Sequence, residues 1–138
     1  MSEIFSDKTI SDIIYVNKNI SSHRNEPFGY VAERLAAIFN QVNSFNDIKG
    51  KRERIIKKAS HLLGGITYWQ PFFNGNKRTA LAVTIHFLRR NRFALPLKTK
   101  KDEKELFELL ERAMLKFEGD DTIISEIEGY LKRKVVAV

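Results

Sequence analysis

Apolar residues recur every three to four positions through most of this chain, the spacing of helices that bury one face, and strict alternation of apolar and polar residues is scarce. Residues 9–19 place Ile10, Ile13, Ile14 and Val16 among polar neighbours, and Ser6 or Asp7 stands where a helix cap is needed. Residues 30–42 follow Pro27 and Gly29 and carry an inward stripe of Val31, Leu35, Ile38, Phe39 and Val42. After a polar break at 45–51, residues 52–69 are helical again, basic in the first half and apolar later. Gly64 and Gly65 there either weaken the helix or let a neighbour approach closely. The run 76–91, with Ala80, Leu81, Ala82, Val83, Ile85, Phe87 and Leu88, has almost no polar face before Arg89 and predicts the buried centre of the fold. Residues 93–97 read as a short extended piece stopped by Pro96. Residues 102–117 are amphipathic through Leu106, Leu109, Leu110, Ala113, Met114 and Phe117, with Gly119 ending them. A last helix over 122–132, capped by Asp120 or Asp121, turns Ile123, Ile124, Ile127, Tyr130 and Leu131 inward. The expectation is one all-α domain spanning 1–138, of about six helices around the helix at 76–91.

Composition agrees with a soluble globular domain: 138 residues, 43% hydrophobic and 30% charged, with no repeat or low-complexity tract. Cysteine is absent, no apolar run is long enough to span a bilayer, and Met1 to Lys8 lacks the basic-then-apolar order of a secretory signal. A cytoplasmic location without membrane attachment is the expectation. The formal charge of +7 and a pI near 9.7 raise the question of a polyanionic partner. Lys49, Lys51, Arg52, Arg54, Lys57 and Lys58 form one basic cluster, and Arg89, Arg90, Arg92, Lys98, Lys100 and Lys101 another. Neither is interleaved with aromatic residues or set on a recognisable reading helix, and solvated helix faces are the commoner explanation. Nucleic-acid binding is therefore the last of the readings carried forward.

The candidate chemistry lies between two apolar segments, in Gln70, Pro71, Phe72, Phe73, Asn74, Gly75, Asn76, Lys77 and Arg78. This is a loop feeding a helix start. Gly75 opens backbone conformations closed to other residues, and the first amides of the helix beginning at Asn76 have no intrahelical acceptor. Those amides and the positive end of the helix dipole attract an anion, and Lys77 and Arg78 add two full charges suited to phosphate oxygens. A plain connector carrying exposed basic residues is the alternative for any isolated short match.

With Thr79, Ala80 and Leu81 following, the run resembles the signature of the Fic/Doc (Fido) family in its Doc-like (death-on-curing) form, with Lys after Asn; Phe87 to Asn91 also looks like the Doc-type continuation. The resemblance implies a small helical domain that binds a nucleoside triphosphate, with ATP and Mg²⁺ as cofactors, and modifies a hydroxyl on a protein target. It further implies that Gly75, Asn76 and Lys77 lie along the phosphates, that Asn76 also holds the loop's shape, and that Arg78 clamps the phosphates. Phe72 would anchor the loop in the core and Pro71 would stiffen it. Where the family carries a metal-holding carboxylate this chain has Asn74, whose amide oxygen brings no negative charge and so weakens Mg²⁺ binding. The catalytic His of the family is replaced by Gln70, a neutral amide that can orient a hydroxyl but cannot take its proton. A separate antitoxin covering the cleft is a partner implied by the resemblance alone.

His61 and His86 stand nine residues before Gln70 and ten beyond Asn76, too far along their helices to replace the missing base, and His23 lies in a polar stretch. Ser125 precedes Glu128 by three residues rather than the four of the family's self-inhibiting helix, and no self-inhibition is read from it. Three readings stay open: a Doc-like transferase of phosphate or AMP with activity reduced or abolished by Gln70, a non-catalytic descendant that keeps the cleft for a nucleotide or a partner, and a basic helical nucleic-acid binder.

Overall fold

A computed structural model describes residues 4–115 and 121–138. Among them are six helices: α1 (Asp7–His23), α2 (Ala32–Asn43), α3 (Lys51–Trp69), α4 (Asn76–Arg90), α5 (Lys100–Leu115) and α6 (Asp121–Lys134). The expected all-α class holds, with one small exception in which β1 (Phe93–Ala94) pairs antiparallel with β2 (Val136–Ala137). The end of α5 expected at Phe117 and Gly119, and the Asp120 cap, fall outside the described residues.

Helix α1 starts where its cap predicts, Ser6 Oγ accepting the Thr9 amide at 3.3 Å, but runs a turn beyond residue 19 because Ser21 is still buried and Ile20 half-buried. Its inward Ile13 joins Phe5, and the Phe5 ring packs on Phe39 of α2 and Phe87 of α4. The extended piece after α4 is held by a strand too short and too near the C-terminus for any alternation to reveal, with Phe93 opposite Ala137 and Ala94 opposite Val136.

The buried centre expected at 76–91 is shared with α3, which is the more enclosed of the two. Helix α3 packs against α2, α4, α5 and α6, whereas α4 packs on α3 and α1 and leaves Ala82 and His86 exposed. Hydropathy understates α3 because its buried polar groups are satisfied locally. Lys58 Nζ donates to Asn46 Oδ1, Ser60 Oγ to the Ile56 carbonyl at 2.7 Å and Thr67 Oγ1 to the Leu63 carbonyl at 2.8 Å. Lys58 is therefore removed from the surface cluster that the sequence suggests, and Lys57 is paired with Glu128 of α6 at 2.7 Å.

Of the two readings of the Gly64–Gly65 pair, close packing is the one found at Gly65: an added Cβ would stand 3.3 Å from Ile38 Cγ2 on α2. Gly65→Val is expected to push the two helices apart and destabilise the domain by about 1–3 kcal/mol, read as a lowered urea midpoint at unchanged slope.

Candidate functional site

Helices α3 and α4 form an antiparallel hairpin whose short connection is the loop 70–75. Gln70 ends α3 in the left-handed region, at φ 47° and ψ 60°, a conformation that strains a residue with a side chain. Its amide still closes the helix on the Ile66 carbonyl at 3.1 Å. The orphan carbonyls beyond are met from α2: Arg34 Nη1 donates to the oxygens of both Trp69 and Gln70 at 3.3 Å. This holds the backbone of position 70 while its side chain remains exposed.

The segment 27–31 is stitched alongside the same loop. Val31 donates its amide to the Pro71 carbonyl at 2.8 Å, Phe73 returns one to the Gly29 carbonyl at 2.9 Å, and Tyr30 and Phe72 form an isolated antiparallel bridge between them. Asn74 Nδ2 donates to the Pro27 carbonyl at 2.9 Å. From α1, the fully buried Asn17 donates to the Asn74 carbonyl at 2.8 Å and to Thr79 Oγ1 at 3.0 Å. Pro71 and Phe72 are buried beneath, and Phe72 belongs to the main core.

Asn76 uses both ends of its side-chain amide to shape the loop. Its Oδ1 accepts the Phe72 amide at 3.0 Å and its Nδ2 donates to the Phe72 carbonyl at 2.9 Å, closing the loop into a ring. The Asn76 backbone amide takes no part in this ring. Gly75 caps α4 in the left-handed region, φ 71°, with no side-chain cap, so the first amides of the helix are not covered by the usual Ser or Asp oxygen.

Gly75, Asn76, Lys77 and Arg78 line one cavity of about 430 Å³ with Leu81, Phe107 and Glu111. Gln70, Pro71, Phe72 and Asn74 do not line it. Lys77 and Arg78 thus face a common space, but with unequal freedom. Lys77 Nζ is ion-paired with Glu111 of α5, both side chains substantially exposed, while Arg78 is exposed and makes no ion pair among the described residues. Glu111, Phe107, Arg34 and Asn17 had no signal in the sequence, since each reaches the loop from a helix distant along the chain.

None of the three histidines lines the cavity at the head of α4. His61 packs its ring 4.6 Å from that of Phe45, and burial, assisted by Lys57, lowers its pKa to about 4. It is neutral at pH 7 and too weak a base for proton abstraction there. His23 ends α1 with Nδ1 2.9 Å from the Asn19 carbonyl, and the exposed His86 lines a groove between α1 and α4 with Asp12 and Arg90.

The sequence model of the Fic/DOC family matches residues 6–88, and the chain belongs to that family. Membership places it at family level among Fido-type domains, which use a nucleotide to modify proteins. No curated protein and no solved structure matches the chain. The match covers α1 to α4 almost in full and stops before α5, so Phe107 and Glu111 lie beyond the matched residues.

Two outcomes are expected. Asn76→Ala removes both bonds to Phe72 and costs about 1–3 kcal/mol of stability by urea unfolding, because the loop's buried amide and carbonyl lose their partners. For His61, a folded pKa below the unfolded value means that the unfolded chain takes up a proton first on acidification; its contribution to stability is complete above about pH 6.5 and declines as pH falls toward 4. An NMR titration should show His61 with a midpoint near 4, and His61→Gln should flatten that decline.

Proposed function

We propose that this chain is a Doc-like Fido domain that holds a nucleoside triphosphate by its phosphates at the head of α4, with transfer to a protein hydroxyl reduced or abolished by Gln70. The observation that carries this reading is the single cavity shared by the Gly75, Asn76, Lys77 and Arg78 backbone and cations, in a chain that belongs to the Fic/DOC family. Amides at a helix start together with a lysine and an arginine suit three phosphate groups, and the remaining walls are the apolar Leu81 and Phe107 and the carboxylate of Glu111. The Lys77–Glu111 pair competes with phosphate for Lys77, so Arg78 is the cation that carries the first contact.

Mg²⁺ fits only in part. The neutral Asn74 lies outside the lining of the phosphate cavity with its side-chain nitrogen held by the Pro27 carbonyl, so phosphate oxygens would have to provide most of the coordination. When bound there the ion neutralises phosphate charge. In the transfer itself a target hydroxyl oxygen bonds to phosphorus. Phosphate transfer then releases the diphosphate by breaking the bond to the terminal phosphorus, and AMP transfer releases pyrophosphate by breaking the bond at the first. The hydroxyl proton has to leave in either case, and Gln70 offers an amide that cannot accept it. Doc-like residues favour phosphate transfer and the role of a toxin restrained by an antitoxin, both by analogy.

Calorimetry with ATP and Mg²⁺ is expected to give saturable binding that Arg78→Ala weakens by about tenfold or more, through removal of a charge-assisted hydrogen bond, and that Glu111→Gln tightens up to about fivefold. Absence of binding by the unaltered protein overturns the nucleotide site. Gln70→His combined with Asn74→Asp should raise label transfer to protein in a lysate by roughly 10²–10⁴ over the unaltered protein, with label in the terminal or the first phosphate reporting which group moves. Binding without transfer in that double variant supports the non-catalytic descendant instead.

A further inference from the structure

The two basic clusters, separate in the sequence, meet at the end of the hairpin opposite the loop. Helix α3 begins there, α4 ends there, and α5 begins where α6 ends, tied by the Tyr130 hydroxyl to the Asp102 carbonyl at 3.0 Å and by Lys134 to Asp102 at 2.7 Å. Phe93 stands at the junction. Its ring has Lys51 Nζ at 5.9 Å and the Arg52 guanidinium at 6.0 Å, and Arg92 precedes it in the chain. Arg52 also donates to the Lys132 carbonyl at 2.9 Å and to that of Val135 at 3.2 Å, which brings the exposed Lys132 to the same face.

Lys51, Arg52, Arg89, Arg92, Lys98 and Lys132 all lie at this end, at least partly exposed, and none is in an ion pair among the described residues. The neighbouring pairs use other cations, Arg133 with Glu105 and Lys134 with Asp102. Asp47 and Glu53 are the acidic side chains of the α3 approach, and Glu53 folds back to within 3.4 Å of where a Gly50 Cβ would be, over the start of its own helix. With the exposed Glu103 in the first turn of α5 these carboxylates are still outnumbered by the cations, so net positive charge gathers at this end of the molecule, about 22 Å of helix away from the candidate nucleotide cavity at about 1.5 Å per residue of α4.

We propose that this face binds the phosphodiester backbone of a nucleic acid. A polymer carrying closely spaced charges gains most from such a surface, because each phosphate neutralised releases condensed counterions. Phe93, the ring at the centre, is only 8% exposed, so no aromatic platform is offered to a base and the contacts are with backbone phosphates, independent of sequence. This face and the proposed nucleotide site are independent, since they lie at opposite ends of α3 and α4.

The test is fluorescence anisotropy with a short labelled DNA duplex and an RNA strand of equal length, across a salt series, using the whole chain. Expected is binding that weakens steeply with salt, and a tenfold or greater loss of affinity for Arg89→Glu with Arg92→Glu, whose salt slope falls by roughly 2, about 0.9 for each phosphate that is no longer neutralised. Lys98→Glu with Lys132→Glu, on different segments, should weaken binding in the same way and guards against misfolding of the first variant. Arg78→Ala should leave it unchanged. The preference between duplex and single strand identifies the form recognised. No binding to either polymer, undiminished binding by both charge-reversed variants, loss of binding in Arg78→Ala, or binding to anionic lipid vesicles in place of both polymers would each overturn the proposal.

Discussion

The left-handed turn at Gln70 and the loop it opens exist because another part of the chain supplies their hydrogen bonds. A helix ending in a residue with a side chain at φ 47° leaves carbonyls without partners, and a loop without regular structure leaves amides without them. Arg34, Val31, Gly29 and Pro27 answer these from one side, Asn17 from another, and Asn76 from within. Phe72 and Pro71, buried below, prevent the loop from lifting away. The result is a rigid approach to the first turn of α4, which a site made of backbone amides requires, since amides can be aimed only by fixing the backbone.

Electrostatically the molecule has two positive ends of different character. At the head of α4 the charge is sparse, directed and contested: the helix start, Arg78, and a Lys77 already paired with Glu111. At the other end it is borne by more cations, on long side chains near the ends of α3, α4, α5 and α6, with Lys51 and Arg52 set over Phe93. The first arrangement suits one compact anion held in a defined pose, and the second suits an extended one held by charge density. The length of the α3–α4 hairpin separates them.

Helical periodicity carried most of the fold. The stripes of Leu35, Ile38, Phe39 and Val42, and of Leu106, Leu109, Leu110 and Ala113, are the buried faces of α2 and α5, because an amphipathic helix states its own inward side. It was less reliable where burial was decided by neighbours. The apolar run in α4 keeps a solvent side at Ala82 and His86, while α3 buries Lys58, Ser60 and Thr67 because nearby carbonyl and amide oxygens receive them. Strands of two residues have no period to detect, and β1 with β2 illustrate it.

The sequence alone determined the helical class, the position of the loop, and the residue types at its mouth: a glycine able to take positive φ, a lysine and an arginine opening a helix, and a neutral glutamine at its first position. These are local properties, set by backbone sterics and side-chain chemistry within a few residues. Only the tertiary structure decided that Arg34 holds the backbone of position 70, that Glu111 answers Lys77, and that Lys51 and Arg52 come to lie over Phe93, next to Arg92 in the chain. Those contacts join residues tens of positions apart, and no spacing along a chain encodes them, because they arise from how helices pack.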